Sequence, residues 1–156
     1  MSGGLSKRYW TGGLPVVDRA IIQRKLAALA EYRGQLQEYA TITVEAYRAD
    51  WKIQRIVERT LQMMIELCAD ISGHVISDNG WSTPETYAAT FRVLGEHGVL
   101  TSEQTAVMVK MAKFRNIVVH QYEEVDAEIV VLILRKHLDD FEKFSKAMVI
   151  YEKVER

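Results

Sequence analysis

Between Trp51 and Asn79 the chain sets Ile53, Ile56, Val57, Thr60, Leu61, Met64, Leu67, Cys68, Ile71 and Val75 in steps of three and four. An α-helix turns by about 100° per residue, so this spacing gathers all of them onto one face. A strand would need alternation by twos. One long helix with a wide apolar stripe must bury that stripe against other helices, which points to an all-α bundle. Asn79-Gly80, in "SDNG", supplies a left-handed stop.

The same spacing recurs on both sides of this helix. Ile22, Leu26, Leu29, Leu36 and Ala40 mark a first helix beginning near Asp18, a good N-cap, and breaking at Thr41–Thr43. Arg33 interrupts that stripe and is expected to snorkel its charged head to water. "STPE" opens a third helix, with Pro84 in its first turn, Ser82 or Thr83 as cap, and Tyr87, Phe91 and Leu94 facing inward. Gly95 and Gly98 end it. Thr101 and Gln104 have capping-box spacing for a fourth helix, whose Val107, Met108, Met111, Phe114, Val118 and Val119 point to the core. "QYEEVD" breaks the chain again, and Asp126 caps a fifth helix. Its opening, "EIVVLIL", is apolar nearly all round, so it is either buried on several sides or shared with a second subunit. Leu138, Phe141, Phe144 and Met148 continue one face. No Asn-Gly hairpin joins alternating apolar runs, so no sheet is expected. The expectation is an up-and-down bundle of about five helices.

With 156 residues, 48% apolar and 26% charged, the chain is one soluble domain able to bury a core without disulfides or metals. Residues 16–156 form the bundle. Residues 1–15, "MSGGLSKRYWTGGLP", are expected to be a flexible N-terminal arm or a vector remnant and are set aside. They lack the apolar segment and cleavage site of a secretory signal, and no run approaches membrane-spanning length, so a cytoplasmic protein is expected. Twenty Lys and Arg against 21 Asp and Glu give a net charge of −1, which excludes a broad nonspecific nucleic-acid footprint and leaves room for a local patch. Cys68, the single cysteine, lies on the apolar face and reads as a small core residue rather than a reactive thiol.

The informative stretch is "FRNIVVHQYEEVD", residues 114–126, which sets Arg115, Asn116, His120 and Tyr122 beside a core-facing ladder. A buried polar group without a partner is costly, so these residues either satisfy one another or face something outside the chain. Arg115 and Tyr122 fall on nearly one line of the helix and Asn116 and His120 on a neighbouring one, while Arg115 and His120 stand about 140° apart around its axis. The last two can converge only where the helix ends or where a second subunit faces the same cleft. Histidine can move a proton near neutrality, and arginine can clamp a phosphate and neutralise its growing charge. Asparagine can hold a phosphate, a sugar or the histidine. Together they suffice for metal-independent RNA cleavage through the ribose 2′-hydroxyl. The bland alternative, a satisfied surface or interface pair, stands beside it. No H-x-x-x-H or clustered carboxylate set suggests a metal, and no cofactor is called for. His74, His97 and His137 read as partly exposed or helix-end residues. Glu66 and Asp70 could orient Arg115 or His120 but read more simply as a solvated face. Trp10, Trp51 and Trp81 are interface candidates, with none singled out.

"RNIVVHQY", Arg115 to Tyr122, resembles the R-x-x-x-x-H-x-Y signature of the HEPN domain family in its HepT-like toxin branch. "IVERTLQMMIELCADISGHVI", "TPETYAATFRVLGEHGVLTSEQ" and "MAKFRNIVVHQYEEVDAEIV" resemble that branch's second helix, third helix with its turn, and active-site helix. The resemblance covers roughly residues 16–150. It implies a helical homodimer whose paired motifs line one composite cleft, acting as a ribonuclease toxin. It also implies an MNT-type nucleotidyltransferase antitoxin as partner, able to attach AMP to the motif tyrosine. Arg115 and His120 become the catalytic residues and Asn116 a supporting one. Tyr122 becomes the site of modification, and Lys110 and Lys113 help to hold RNA. A second possibility is a noncatalytic subunit that uses the same cleft to hold nucleotide or RNA for its partner enzyme.

Overall fold

A computed structural model of the chain describes residues 16–120 and 125–154, with side chains from residue 19 onward. Trp10, Tyr122 and the side chain of Asp18 therefore lie outside the described residues. The described residues hold seven α-helices, one 3-10 turn and no strand. The helices are α1 (Val16–Leu36), α2 (Val44–Ala49), α3 (Trp51–Asp78), α4 (Tyr87–Glu96), α5 (Ser102–His120), α6 (Ala127–Lys136) and α7 (Leu138–Val154), with the 3-10 turn at Gln37–Tyr39.

The long ladder is α3, and it is the axis of the bundle. Asp50 caps it, its carboxylate accepting from Lys52 N at 3.0 Å and Ile53 N at 3.2 Å. Val57, Leu61, Met64, Cys68, Ile71 and Val75 are buried, whereas Ile56 at the open end is 48% exposed. Two buried hydroxyls on this face are satisfied locally, Thr60 donating to the Ile56 carbonyl and Ser72 to that of Cys68. Burial pushes the Cys68 thiol well above its ordinary range, which keeps it inert. The helix stops at Gly80, with φ of 68°, and Trp81 N donates back to the Ile76 carbonyl.

Around α3 pack α1, α4 and α5; α7 packs against α1, α5 and α6, and α2 closes on α6. Arg33 leaves the apolar stripe for α7, pairing with Asp139 at 3.5 Å and Glu142 at 2.8 Å. Lys146 and Arg33 hold the Glu142 carboxyl below its usual range. Beyond α3, Trp81 stacks flat on His97, just ahead of α5, with ring centroids 3.6 Å apart. Further along α5, Arg115 meets Glu66 in the middle of α3. The two helices therefore run antiparallel, which brings the C-terminal half of α5 beside the first half of α3.

Several expectations need correction. Helix one is described from Val16, two residues before Asp18, and ends at Leu36 rather than Ala40. "STPE" does not open a helix: α4 starts at Tyr87, because the Thr86 hydroxyl accepts from Ala89 N at 3.0 Å and makes the cap there. The count is seven, not about five, for two reasons. A short α2 fits between Thr43, which caps it through Ala46 N, and Asp50. The supposed fifth helix breaks at His137, which has φ of −123° and binds Asp140 at 2.7 Å. Val119, expected in the core, is 38% exposed at the end of α5. The capping box holds, with Thr101 and Gln104 exchanging bonds of 2.9 and 3.1 Å, and Asp126 caps α6.

α4 and α5 pack tightly at Gly95. A Cβ there would lie 2.3 Å from Thr105 Oγ1 and 2.9 Å from its Cγ2. Thr105 is β-branched and its hydroxyl is tied to the Thr101 carbonyl, so it has little room to turn away. Gly95→Ala gains up to about 1 kcal/mol of helix propensity and meets an overpacking cost of roughly 1–3 kcal/mol. The melting temperature should fall by several degrees, and adding Thr105→Ala should restore it. A rise in the single variant would contradict this packing.

Candidate active site

Arg115 sits on the core-facing side of α5, in line with Met108, Met111 and Val118, which is why it needs a partner. Glu66 of α3 supplies one. A single carboxylate oxygen, Oε2, accepts from Arg115 Nε at 2.9 Å and from a terminal nitrogen at 2.7 Å. Gln62, one turn earlier on α3, donates to the same oxygen at 3.1 Å. The other terminal nitrogen of Arg115 donates to Asn116 Oδ1 at 3.3 Å. The guanidinium lies over the Tyr87 ring of α4, 4.6 Å from its centroid, in a cation–π arrangement. With the Arg115 side chain 18% and that of Glu66 30% exposed, this pair is held more firmly than a surface salt bridge.

A guanidinium carries five N–H donors, and these contacts use three, two on the edge that bears Nε and one on the other terminal nitrogen. Arg115 and Asn116 line a cleft of ≈ 320 Å³ with Pro84, Glu85, Thr86, Tyr87 and Thr90. One edge of the cation is thus held by Glu66 while Arg115 also lines a solvent-open cleft, an arrangement suited to an oxyanion or a phosphate.

His120 stands elsewhere. It is exposed, and it shares the outer face of α5 with Lys110, Lys113 and Ile117 at spacings of three and four, with Asn116 at the border. Among the described residues the partners of Arg115 are Glu66, Asn116 and Tyr87, and His120 is not one of them. The sequence-derived site is therefore brought together only in part. Arg115 and Asn116 share one cleft. Lys110, Lys113 and His120 share an outer face, about 140–160° around the helix from Arg115. Tyr122 lies outside the described residues.

Of the two readings the sequence leaves for Glu66, a solvated face or a group that orients Arg115 or His120, the structure bears out the second: Glu66 is Arg115's main partner. Its i,i+4 relation to Asp70 suggested a surface pair, and only packing across 49 residues of sequence reveals the true one. Asp70 instead pairs with Lys25 at 2.6 Å. Among the described residues, no three His, Cys, Asp or Glu side chains gather as a metal site, and no helix is long and apolar enough to cross a membrane.

Comparison with known proteins adds a family to this geometry. Residues 29–148 match the family model described as Ribonuclease HepT-like. An mRNA nuclease HepT of Shewanella oneidensis is 33% identical over 98 residues, covering 63% of this chain and 74% of the relative. A tRNA nuclease HepT of Aphanizomenon flos-aquae is 24% identical over 135 residues, covering 86% and 92% respectively. Among solved structures, a tri-AMPylated HEPN toxin of Shewanella oneidensis, in complex with an MNT antitoxin, superposes with a TM-score of 0.77 at 28% identity. That match covers 83% of this chain and 97% of the toxin.

Proposed function

The chain belongs to the HepT-like ribonuclease family, and from that premise we propose that it is the toxin of an MNT–HEPN toxin–antitoxin pair, a metal-independent endoribonuclease. The observation that carries this reading is the Arg115 guanidinium, fixed on one edge by Glu66 at the wall of a cleft. The nuclease relatives and the toxin–antitoxin neighbour support it.

In the proposed reaction His120 takes the proton of a ribose 2′-hydroxyl, whose oxygen then attacks the adjacent phosphorus. Arg115 stabilises the charge that accumulates on the phosphoryl oxygens, with Asn116 supporting it. The protonated His120 gives its proton to the 5′-oxygen of the next nucleotide as the P–O5′ bond breaks, and the 2′,3′-cyclic phosphate remains. Because the nucleophile is the 2′-hydroxyl, the substrate is RNA and not DNA.

The angle between Arg115 and His120 makes a second copy part of the proposal. In a homodimer, Arg115 of one subunit can meet His120 of the other across a shared cleft. Exposed apolar side chains support such an interface: Ile117, on the same face of α5 as His120, is 54% exposed, and Ile129 and Leu132 of α6 are 45% and 47% exposed. Paired copies of Lys110 and Lys113 would concentrate positive potential on a chain that is otherwise nearly neutral.

Silencing is assigned to the nucleotidyltransferase antitoxin, which would place AMP on Tyr122 and fill the cleft with a phosphate and a purine. RNA incubated with purified protein in excess chelator should be cut. Binding without cutting, in wild type and His120→Ala alike, would make the protein a noncatalytic subunit of its partner. Co-expression with the antitoxin should add AMP-sized mass increments that Tyr122→Phe loses.

A further inference from the structure

The Arg115 cleft has a neighbour. A hollow of ≈ 440 Å³ lies between α1, α3 and α4, and Tyr87 and Thr90 line both. Glu66, the residue that holds Arg115, forms part of its wall. Tyr32 of α1 and Tyr87 of α4, both half-buried, present aromatic surface, and Met63 and Leu67 of α3 add a thioether and an aliphatic wall. Such a lining suits the flat face of a base. A phosphate is excluded by two carboxylates one helical turn apart, Glu66 and Asp70.

Those carboxylates also give the hollow a hydrogen-bonding character. Glu66 receives all its described N–H donors on Oε2, and Asp70 receives Lys25 on Oδ2. Each keeps an oxygen for a further donor. Adenine, cytosine and guanine carry an exocyclic amino group that can donate to a carboxylate, and guanine adds N1–H beside it. Uracil offers one N–H flanked by two carbonyl oxygens, which would face the carboxylates unfavourably.

We infer that this hollow is a nucleobase subsite for the nucleotide next to the scissile phosphate, and that it selects bases bearing an amino group over uracil. The inference rests on the ribonuclease reading of the Arg115 cleft and adds a substrate preference to it. Asp70 is the selecting acceptor, Tyr32 and Tyr87 the stacking surfaces.

The test maps cleavage positions in an RNA that contains every dinucleotide step, using wild type, Asp70→Asn and Tyr32→Ala. Wild type should cut beside amino-bearing bases about tenfold more than beside uridine, the worth of one charge-assisted hydrogen bond. Asp70→Asn, a change at an exposed side chain, should shrink that ratio towards one, and Tyr32→Ala should raise KM several-fold more than it lowers kcat. Site choice that is the same in all three proteins, or a wild-type preference for uridine, would overturn the subsite. Binding of 2′-O-methyl tetranucleotides, which cannot be cut, reads base choice without chemistry. Base choice in binding with no cutting of any RNA sinks the nuclease reading and upholds the subsite; cutting without base choice does the reverse.

Discussion

His120→Ala should remove RNA cleavage by about 10²–10⁴-fold, the range for losing a positioned general acid–base group, and leave the fold unchanged. The stability half of this expectation follows from position: His120 is exposed at the described end of α5, with no hydrogen bond to Arg115 or Glu66. Substitutions at such sites stay within about 0.5 kcal/mol, so the melting curve should overlay that of wild type. The activity half follows from chemistry, since an imidazole is the kind of side chain that can take a proton and give it back in general acid–base catalysis. An inactive variant that also melts early would assign His120 a structural role. A variant that still cuts RNA would remove it from the reaction.

Glu66→Ala should be the second large effect, and a different one. It deletes the acceptor of two Arg115 N–H groups and one from Gln62, leaving a half-buried guanidinium held by Tyr87 and Asn116. An unpaired, partly buried cation costs about 1–3 kcal/mol, and a cation displaced by an ångström from the phosphate costs up to about 100-fold in rate. Both losses should appear together. Glu66→Gln separates position from charge. Because both Arg115 bonds end on one oxygen, an amide carbonyl can accept them in the same geometry, so most of the activity should return. Single-turnover cleavage and thermal melting of the two variants check this. Full activity in Glu66→Ala would show that Arg115 needs no anchor.

What could be read from the chain and what could not divides along sequence distance. The α3 ladder, the Thr101–Gln104 capping box and the Asp126 cap are local patterns, and each forms as its residues dictate. The motif helix was equally legible, with Arg115 and His120 both on α5. Boundaries failed where two caps competed: Thr83 and Thr86 both precede a helix, and Thr86 wins by reaching Ala89 N. The break at His137 has a local sign, since Arg135 and Lys136 end one helix and Asp139 and Asp140 begin the next, as helix dipoles favour. For Glu66 no local sign decides between a solvated face and a group that orients Arg115. Its partner is distant in sequence, and a carboxylate on the flank of an apolar helix looks the same whether it meets water or a buried arginine.

The central claim is that Arg115 and His120 act across two subunits, because one helix turns them apart. Arg115→Ala and His120→Ala chains, each inactive alone, can be co-expressed with different tags and isolated as a heterodimer. Sharing across the interface predicts that this heterodimer regains RNA cleavage, since one cleft then holds an intact arginine from one chain and an intact histidine from the other. A purified heterodimer as inactive as its parents would contradict it.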